Sequence, residues 1–252
     1  MPLERHTRGQ TPYTRALNLP PPFRLVMLRE VGDAFAHARN HATELGAGTL
    51  ISVGRFDLAE FAVVLEPDEP LASAWRALYA GMVALADGLA TLAPPEKSIA
   101  VEWPTAIRVD GGLVGGGRLG WPDGANEAEP PPWLVFGAMV RMVSVAGDGS
   151  RLGPLATALE DEGFGDVASD RLVESFGRHL MRAIDHWREA GFATIANNYV
   201  SRLDRKSGVR HEIGDSGELL VTCIGKPVER HWLPPDLATP SWLDPHSGGP
   251  RG

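Results

Sequence analysis

The sequence predicts an α+β domain in which a mixed, mostly antiparallel sheet is flanked by helices and followed by a small C-terminal β appendage. Three observations lead there. Asp110-Gly111-Gly112 lies between two apolar runs and has the chemistry of a hairpin turn. Residues 70–92 place Leu71, Trp75, Leu78, Met82, Leu85, Leu89 and Leu92 at alternating steps of four and three, the spacing of one helix face. A second hairpin signal, Asp215-Ser216-Gly217, separates residues 209–213 from 218–224.

From the N-terminus, residues 1–22 are polar, end in Pro20-Pro21-Pro22, and read as a flexible or extended arm. Residues 23–28 form a short apolar strand, and 33–45 a helix that Gly46 can end in a left-handed conformation. Strands follow at 49–53 and 60–65, joined around Gly54-Arg55-Phe56-Asp57. Beyond the helix of 70–92 and the Pro94-Pro95 break, residues 99–103 and 107–109 alternate like strand, with 113–121 returning. An acidic, proline-rich surface loop covers 122–132. The long strand 133–145 carries an unexpected charge, Arg141, and closes at Gly147-Asp148-Gly149. A short helix is expected over 154–160. A longer one, capped by Ser169, carries the stripe Leu172, Phe176, Leu180, Ile184 and Trp187 as far as Gly191. Helix continues to about Leu203, and the proline- and glycine-rich tail from Pro234 reads as loosely ordered.

Composition bounds the function. With 43% hydrophobic and 22% charged residues the chain can bury a core, and no run is long and apolar enough to span a membrane. A net charge of −8 argues against a nucleic-acid partner, which would need a basic face. The lone Cys223 excludes an internal disulfide, and residues 1–15 lack the apolar stretch of a secretory signal, so a cytoplasmic location is expected. No metal motif is present, since His179 and His186 lie seven apart, and no Gly-x-Ser-x-Gly elbow occurs. The run Gly112, Gly115, Gly116, Gly117 sits in a hairpin and not before a helix, so it is no phosphate loop; it admits either a ligand or a packed neighbour close to the strand.

At residues 101–119, VEWPTAIRVDGGLVGGGRL, the chain resembles the biotin/lipoate protein ligase (biotin/lipoate A/B protein ligase) family. The frame of that family's hairpin is lysine-tryptophan-proline-asparagine-aspartate, a turn, and a glycine-bearing return strand. Trp103, Pro104, Gly115 and Gly116 fit it, and the order of helices and strands over about 200 residues agrees with it. The resemblance implies the fold of the class II aminoacyl-tRNA synthetases and biotin protein ligases over residues 23–203, with residues 204–252 as a C-terminal β hairpin region and tail. It also implies an acyl-adenylate formed from ATP and a carboxylic acid, followed by acyl transfer to a carrier lysine.

Matched residue by residue, the usual charges are missing. Glu102 stands at the lysine, Thr105 and Ala106 at the asparagine and aspartate, and only Gly54-Arg55 remains of a glycine- and arginine-rich loop. A serine-threonine-asparagine helix start is matched by Val31-Gly32-Asp33, and a glycine-isoleucine-asparagine strand end by Met139-Val140-Arg141. This divergent site is therefore expected to draw on Arg55, Glu102, Trp103, Gly115, Gly116, Gly117, Arg118 and Arg141 for substrate binding, with its catalytic residues unknown. Two of these, Glu102 and Arg141, occupy positions that line one pocket in the family, so their swapped charges suggest an ion pair. An arginine holds a carboxylate or phosphate with two hydrogen bonds, which favours Arg55, Arg108, Arg118 and Arg141 as anion holders. Two functions follow. One is attachment of a biotinyl, lipoyl or octanoyl group to a carrier-protein lysine, using ATP and magnesium; the other is a non-catalytic acyl- or carrier-binding module needing neither. The implied partners are a small acyl acid or an acyl-carrier protein, and a free sheet edge could pair two copies into a homodimer.

Overall fold

Strand β1 (Arg24–Leu28) opens the main sheet, in a computed structural model that describes residues 17–144, 153, 155–165, 167–204 and 207–252. The chain continues through α1 (Ala34–Leu45), β2 (Thr49–Val53), β3 (Leu58–Leu65), α2 (Leu71–Ala74), α3 (Ala77–Leu92), β4 (Ile99–Glu102), β5 (Ala106–Val109), β6 (Gly112–Gly120) and β7 (Leu134–Arg141). Then come α4 (Ser169–Ala190), α5 (Phe192–Arg202), β8 (Val209–Ile213), β9 (Leu219–Cys223), β10 (Glu229–His231) and α6 (Leu233–Leu237). Seven strands form one sheet in the order β1-β2-β3-β7-β6-β5-β4, with β1 parallel to β2 and every other pairing antiparallel. A separate antiparallel sheet, β10-β9-β8, follows. The α+β class and both hairpins are as the sequence predicts. At the first, Asp110 and Gly111 take φ of 46° and 84°, the left-handed pair of a type I′ turn.

Alternation along the central strands divides the sheet into two chemically distinct faces. Ala59, Phe61 and Val63 of β3 join Phe136 and the helices α3 and α4 in one large core. Helix α3 is buried on all sides, and Gly88 lets the backbone of α4 at Phe176 come close. On the opposite face Ala34, Ala38 and Ala42 of α1 cover Ile51, Ala62, Val64 and Val135. The remainder of that face is covered by Trp242, packed with Leu58, Ala106, Leu113 and Met139.

Five expectations are corrected. The helix over 70–92 breaks into α2 and α3, because residues 75–79 tighten into i→i+3 turns while three side chains reach for the β8–β9 turn. Trp75 Nε1 donates to the Ser216 carbonyl (3.3 Å), Arg76 to that of Asp215 (2.8 Å) and Tyr79 Oη to that of Gly217 (2.6 Å). Ser169 does not cap α4; its hydroxyl donates to the Arg55 carbonyl at 3.0 Å. The short helix expected over 154–160 is absent among the described residues of that stretch, where Leu155 and Thr157 instead exchange backbone hydrogen bonds with Leu113 at the start of β6. Packing begins ahead of Phe23, since Leu17 and Leu19 lie against the core and the Asn18 amide donates to Glu174; the rest of the expected arm, and the turn at 147–149, lie outside the described residues. The tail is ordered around Trp242, which is fully buried. Among the described residues no helix is long and apolar enough to cross a membrane.

Candidate functional site

Three consecutive glycines let β6 be approached from three directions. A side chain at Gly115 would strike the β7 backbone at Met139, and its φ of 152° further disfavours one. A Cβ at Gly117 would press on Met82 and Phe136, on the helical face. Gly116 opens to the other face, and there its open space is taken: a Cβ would come within 2.5 Å of the Trp242 indole. Trp242 Nε1 donates to the Gly117 carbonyl at 2.9 Å, so the ring is held by a hydrogen bond as well as by packing. Of the two uses the sequence left open for this run, the structure displays packing.

The tail around Trp242 is itself fixed. Its Leu243 bridges Pro250, the Arg251 amide donates to the Trp242 carbonyl at 2.8 Å, and Arg251 Nε donates to Ser241 at 2.7 Å. Arg141 clamps this loop from the end of β7, donating to the carbonyls of Pro250 (2.7 Å) and Arg251 (3.0 Å) and to that of Thr157 (3.2 Å). Burial holds the Arg141 guanidinium below its usual value, and these carbonyls satisfy its hydrogens without a counter-charge.

The expected Glu102–Arg141 pair does not form. Between β7 and β4 lie β6 and β5, so the two residues stand three strand spacings apart, roughly 14 Å. Glu102 is bound instead by Arg108 Nε of the adjoining strand at 2.6 Å. Arg55 is likewise engaged, gripping Asp57 through two nitrogens at 3.1 and 2.7 Å, and that carboxylate holds its guanidinium firmly charged. Trp103 belongs to the helical face, its ring 6.0 Å from that of His231, while Tyr199 pins the adjoining turn by donating to the Pro104 carbonyl at 2.8 Å. Arg118 faces α1, over the ring of Phe35. The structure therefore brings Gly116, Gly117 and Arg141 together under the tail, sets Arg55 beside Arg141 in a cleft that Glu60 and Pro250 also line, and leaves Glu102, Trp103 and Arg118 dispersed around them.

Two residues of this face carried no expectation. Trp242 stands in a proline- and glycine-rich stretch without periodicity, and its only signal is a large aromatic among polar neighbours. Glu60 is a lone charge in the apolar run LAEFAVVL, on the tail and α1 side of β3, and only 3% exposed. It accepts the Ala34 amide at 2.9 Å, at the start of α1, yet burial pushes its carboxyl above the usual glutamate value.

These groups do not fit ATP and magnesium. Adenylation needs a cation facing the acid and the α-phosphate, and a carboxylate to hold the metal. At the lysine position Glu102 is negative. At the next two Thr105 and Ala106 are buried, Thr105 Oγ1 without a partner among the described residues and neither able to offer a charge. Arg55, Arg108 and Arg141 already serve Asp57, Glu102 and the tail, and the fourth candidate, Arg118, lies over Phe35 of α1 beside Asp33.

Known proteins place this arrangement in context. A family model described as the biotin/lipoate A/B protein ligase family matches residues 19–201. The chain is similar to a biotin protein ligase-like protein of unknown function from Silicibacter sp. TM1040, at 29% identity and a TM-score of 0.73 over 87% of this chain and 97% of that one. It shares its fold with a biotin protein ligase of Aquifex aeolicus in complex with biotin and ATP, at 13% identity and a TM-score of 0.60, covering 82% and 99% of the two chains. It shares it also with that of Leishmania major in complex with biotinyl-5-AMP, at 17% identity and a TM-score of 0.53, covering 84% and 100%. No curated protein matches the chain.

Proposed function

Because the chain belongs to the biotin/lipoate A/B protein ligase family, we propose that it acts as a non-catalytic member, a module that binds an acyl acid or an acyl-carrier protein without activating an acid. One observation carries this reading. The opening at Gly116 is filled by Trp242 of the chain's own tail, under the clamp of Arg141. Function does not follow from fold, and the engaged charges around that seat count against adenylation. ATP, magnesium, biotin, lipoate and octanoate test it together: with each acid in turn, pyrophosphate and AMP release should stay at the background without protein. Release with any of these acids would restore the ligase reading.

The competing reading is attachment of a biotinyl, lipoyl or octanoyl group to a carrier lysine, and the family match over residues 19–201 favours it. A transferase using a pre-activated donor would escape the first assay. Mass spectrometry of a carrier domain mixed with an octanoylated carrier donor covers that case, and the binding reading expects no mass increase.

A further inference from the structure

Beyond Trp242, toward the far end of β6, the tail and α1 border an open-sided cavity of about 340 Å³. Its charged groups are Arg118 of β6, Arg39 of α1 and, at the exposed rim, Asp123, and its apolar wall includes Trp121, Pro234, Leu237 and Leu243. Both cations lie against one ring: the guanidinium carbon of Arg118 is 4.2 Å from the centre of Phe35, and that of Arg39 is 6.0 Å. Gly120 makes this possible, since a Cβ there would come within 2.9 Å of both Arg39 Cδ and the Phe35 ring.

The two cations are incompletely satisfied. The Nε atoms of Arg118 and Arg39 are both buried and have no hydrogen-bond partner among the described residues. Such donors are costly to leave unpaired. Arg118 reaches Asp33 at 3.3 Å, long for a charge-assisted bond, and Arg39 pairs at 3.0 Å with Asp123, whose side chain is 97% exposed and therefore a weak partner. Burial holds the Arg118 guanidinium below its usual value; the carboxylates of Asp33 and Glu60 offset part of this, and the nearby positive charge of Arg39 adds to it. An anion set between the guanidiniums would relieve both conditions, while its apolar part met Trp121 and the prolines.

We propose that this cavity is a binding site for a small carboxylate with a flat apolar body, its carboxylate held by Arg118 and Arg39. The site lies outside the Gly115–Gly117 seat that Trp242 fills. It deepens the reading of the chain as a binder of acids, and because binding is read without ATP, the two ideas fail separately.

Isothermal titration calorimetry of the full chain with phenylacetate and with phenylacetamide tests it. Phenylacetate should bind, and its uncharged amide about tenfold or more weaker, as loss of one charge-assisted contact implies. Arg118→Gln should weaken phenylacetate binding by about tenfold as well. Arg39→Gln, a change at the half-exposed rim with little bearing on folding, should weaken it several-fold, so the idea stays testable if the Arg118 variant melts early. Equal binding of acid and amide, indifference to both substitutions, or no phenylacetate binding at about 10 mM would overturn the proposal.

Discussion

Against one face of the seven-stranded sheet, α3 and α4 lay a continuous apolar layer in which the Phe61 and Phe136 rings pack on Phe176, at centroid distances of 4.6 and 5.6 Å. Against the other, α1 covers β2 and β3 while the chain's own tail covers β5 to β7 with Trp242 and the carbonyls bound by Arg141. The first face is held mainly by shape and area, with neutral hydrogen bonds such as Ser175 Oγ to the Gly88 carbonyl at 3.2 Å. On the second, Glu60, Arg118 and Arg141 are buried or partly buried with polar partners that satisfy them incompletely or without an opposite charge. A core optimised for stability has no use for such groups, so the difference supports the proposal that binding takes place on the second face.

Substitutions can break or sharpen that contrast. Phe176→Ala, on the helical face, should lower the unfolding free energy by about 4 kcal/mol, since α4 is held between α3 and the sheet and cannot move in to close the void; a urea titration measures it. Trp242→Ala should cost only about 2 kcal/mol globally, because a terminal segment relaxes where a helix cannot, and limited proteolysis should now cut within residues 240–252. If the two variants lose the same stability and the tail resists protease, the faces are not different in kind. Arg141→Met should cost about 1 kcal/mol by leaving tail carbonyls unpaired, again with faster cleavage of the tail.

The smallest effect has the opposite sign. Because burial raises the Glu60 carboxyl above 4.5, the folded chain binds that proton more tightly than the unfolded one. The stability it contributes is complete below pH 4.5 and is lost as pH rises through the folded value. Glu60→Gln should therefore melt slightly higher than the parent at pH 7 and together with it near pH 4, in thermal scans at both pH values. A parent that melts higher at pH 7 would show Glu60 to be stabilised as a carboxylate.

How well each face could be read from sequence follows from the same contrast. The stripe Leu172–Phe176–Leu180 announces α4 because burial on one side imposes a helical period, and α3, though buried all round, keeps its large residues at Leu78, Met82, Leu85 and Leu89 with alanine and glycine among the residues between them. The Asp110-Gly111 turn was readable because few residues tolerate its dihedral angles. Trp242 had no such signal: a tail packed by one ring and a few carbonyls has no period. The Glu102–Arg141 pair failed because likeness to a family pocket gives neither strand order nor distance, and Arg108, directly across the hairpin from β4, was the nearer cation. The split of α2 from α3 likewise depended on the carbonyls of residues 215–217, about 140 positions away in sequence.

Hydrogen exchange read by mass spectrometry tests the central claim most directly, that the tail is a fixed occupant of the ligase-type face. Peptides covering residues 240–252 should show the amides of Leu243 and Arg251, which bond within the tail, exchanging far more slowly than an unstructured segment, and that protection should vanish in Trp242→Ala. Complete exchange of the tail within seconds in the parent protein would contradict the account, and would leave the face above Gly116 open to a ligand.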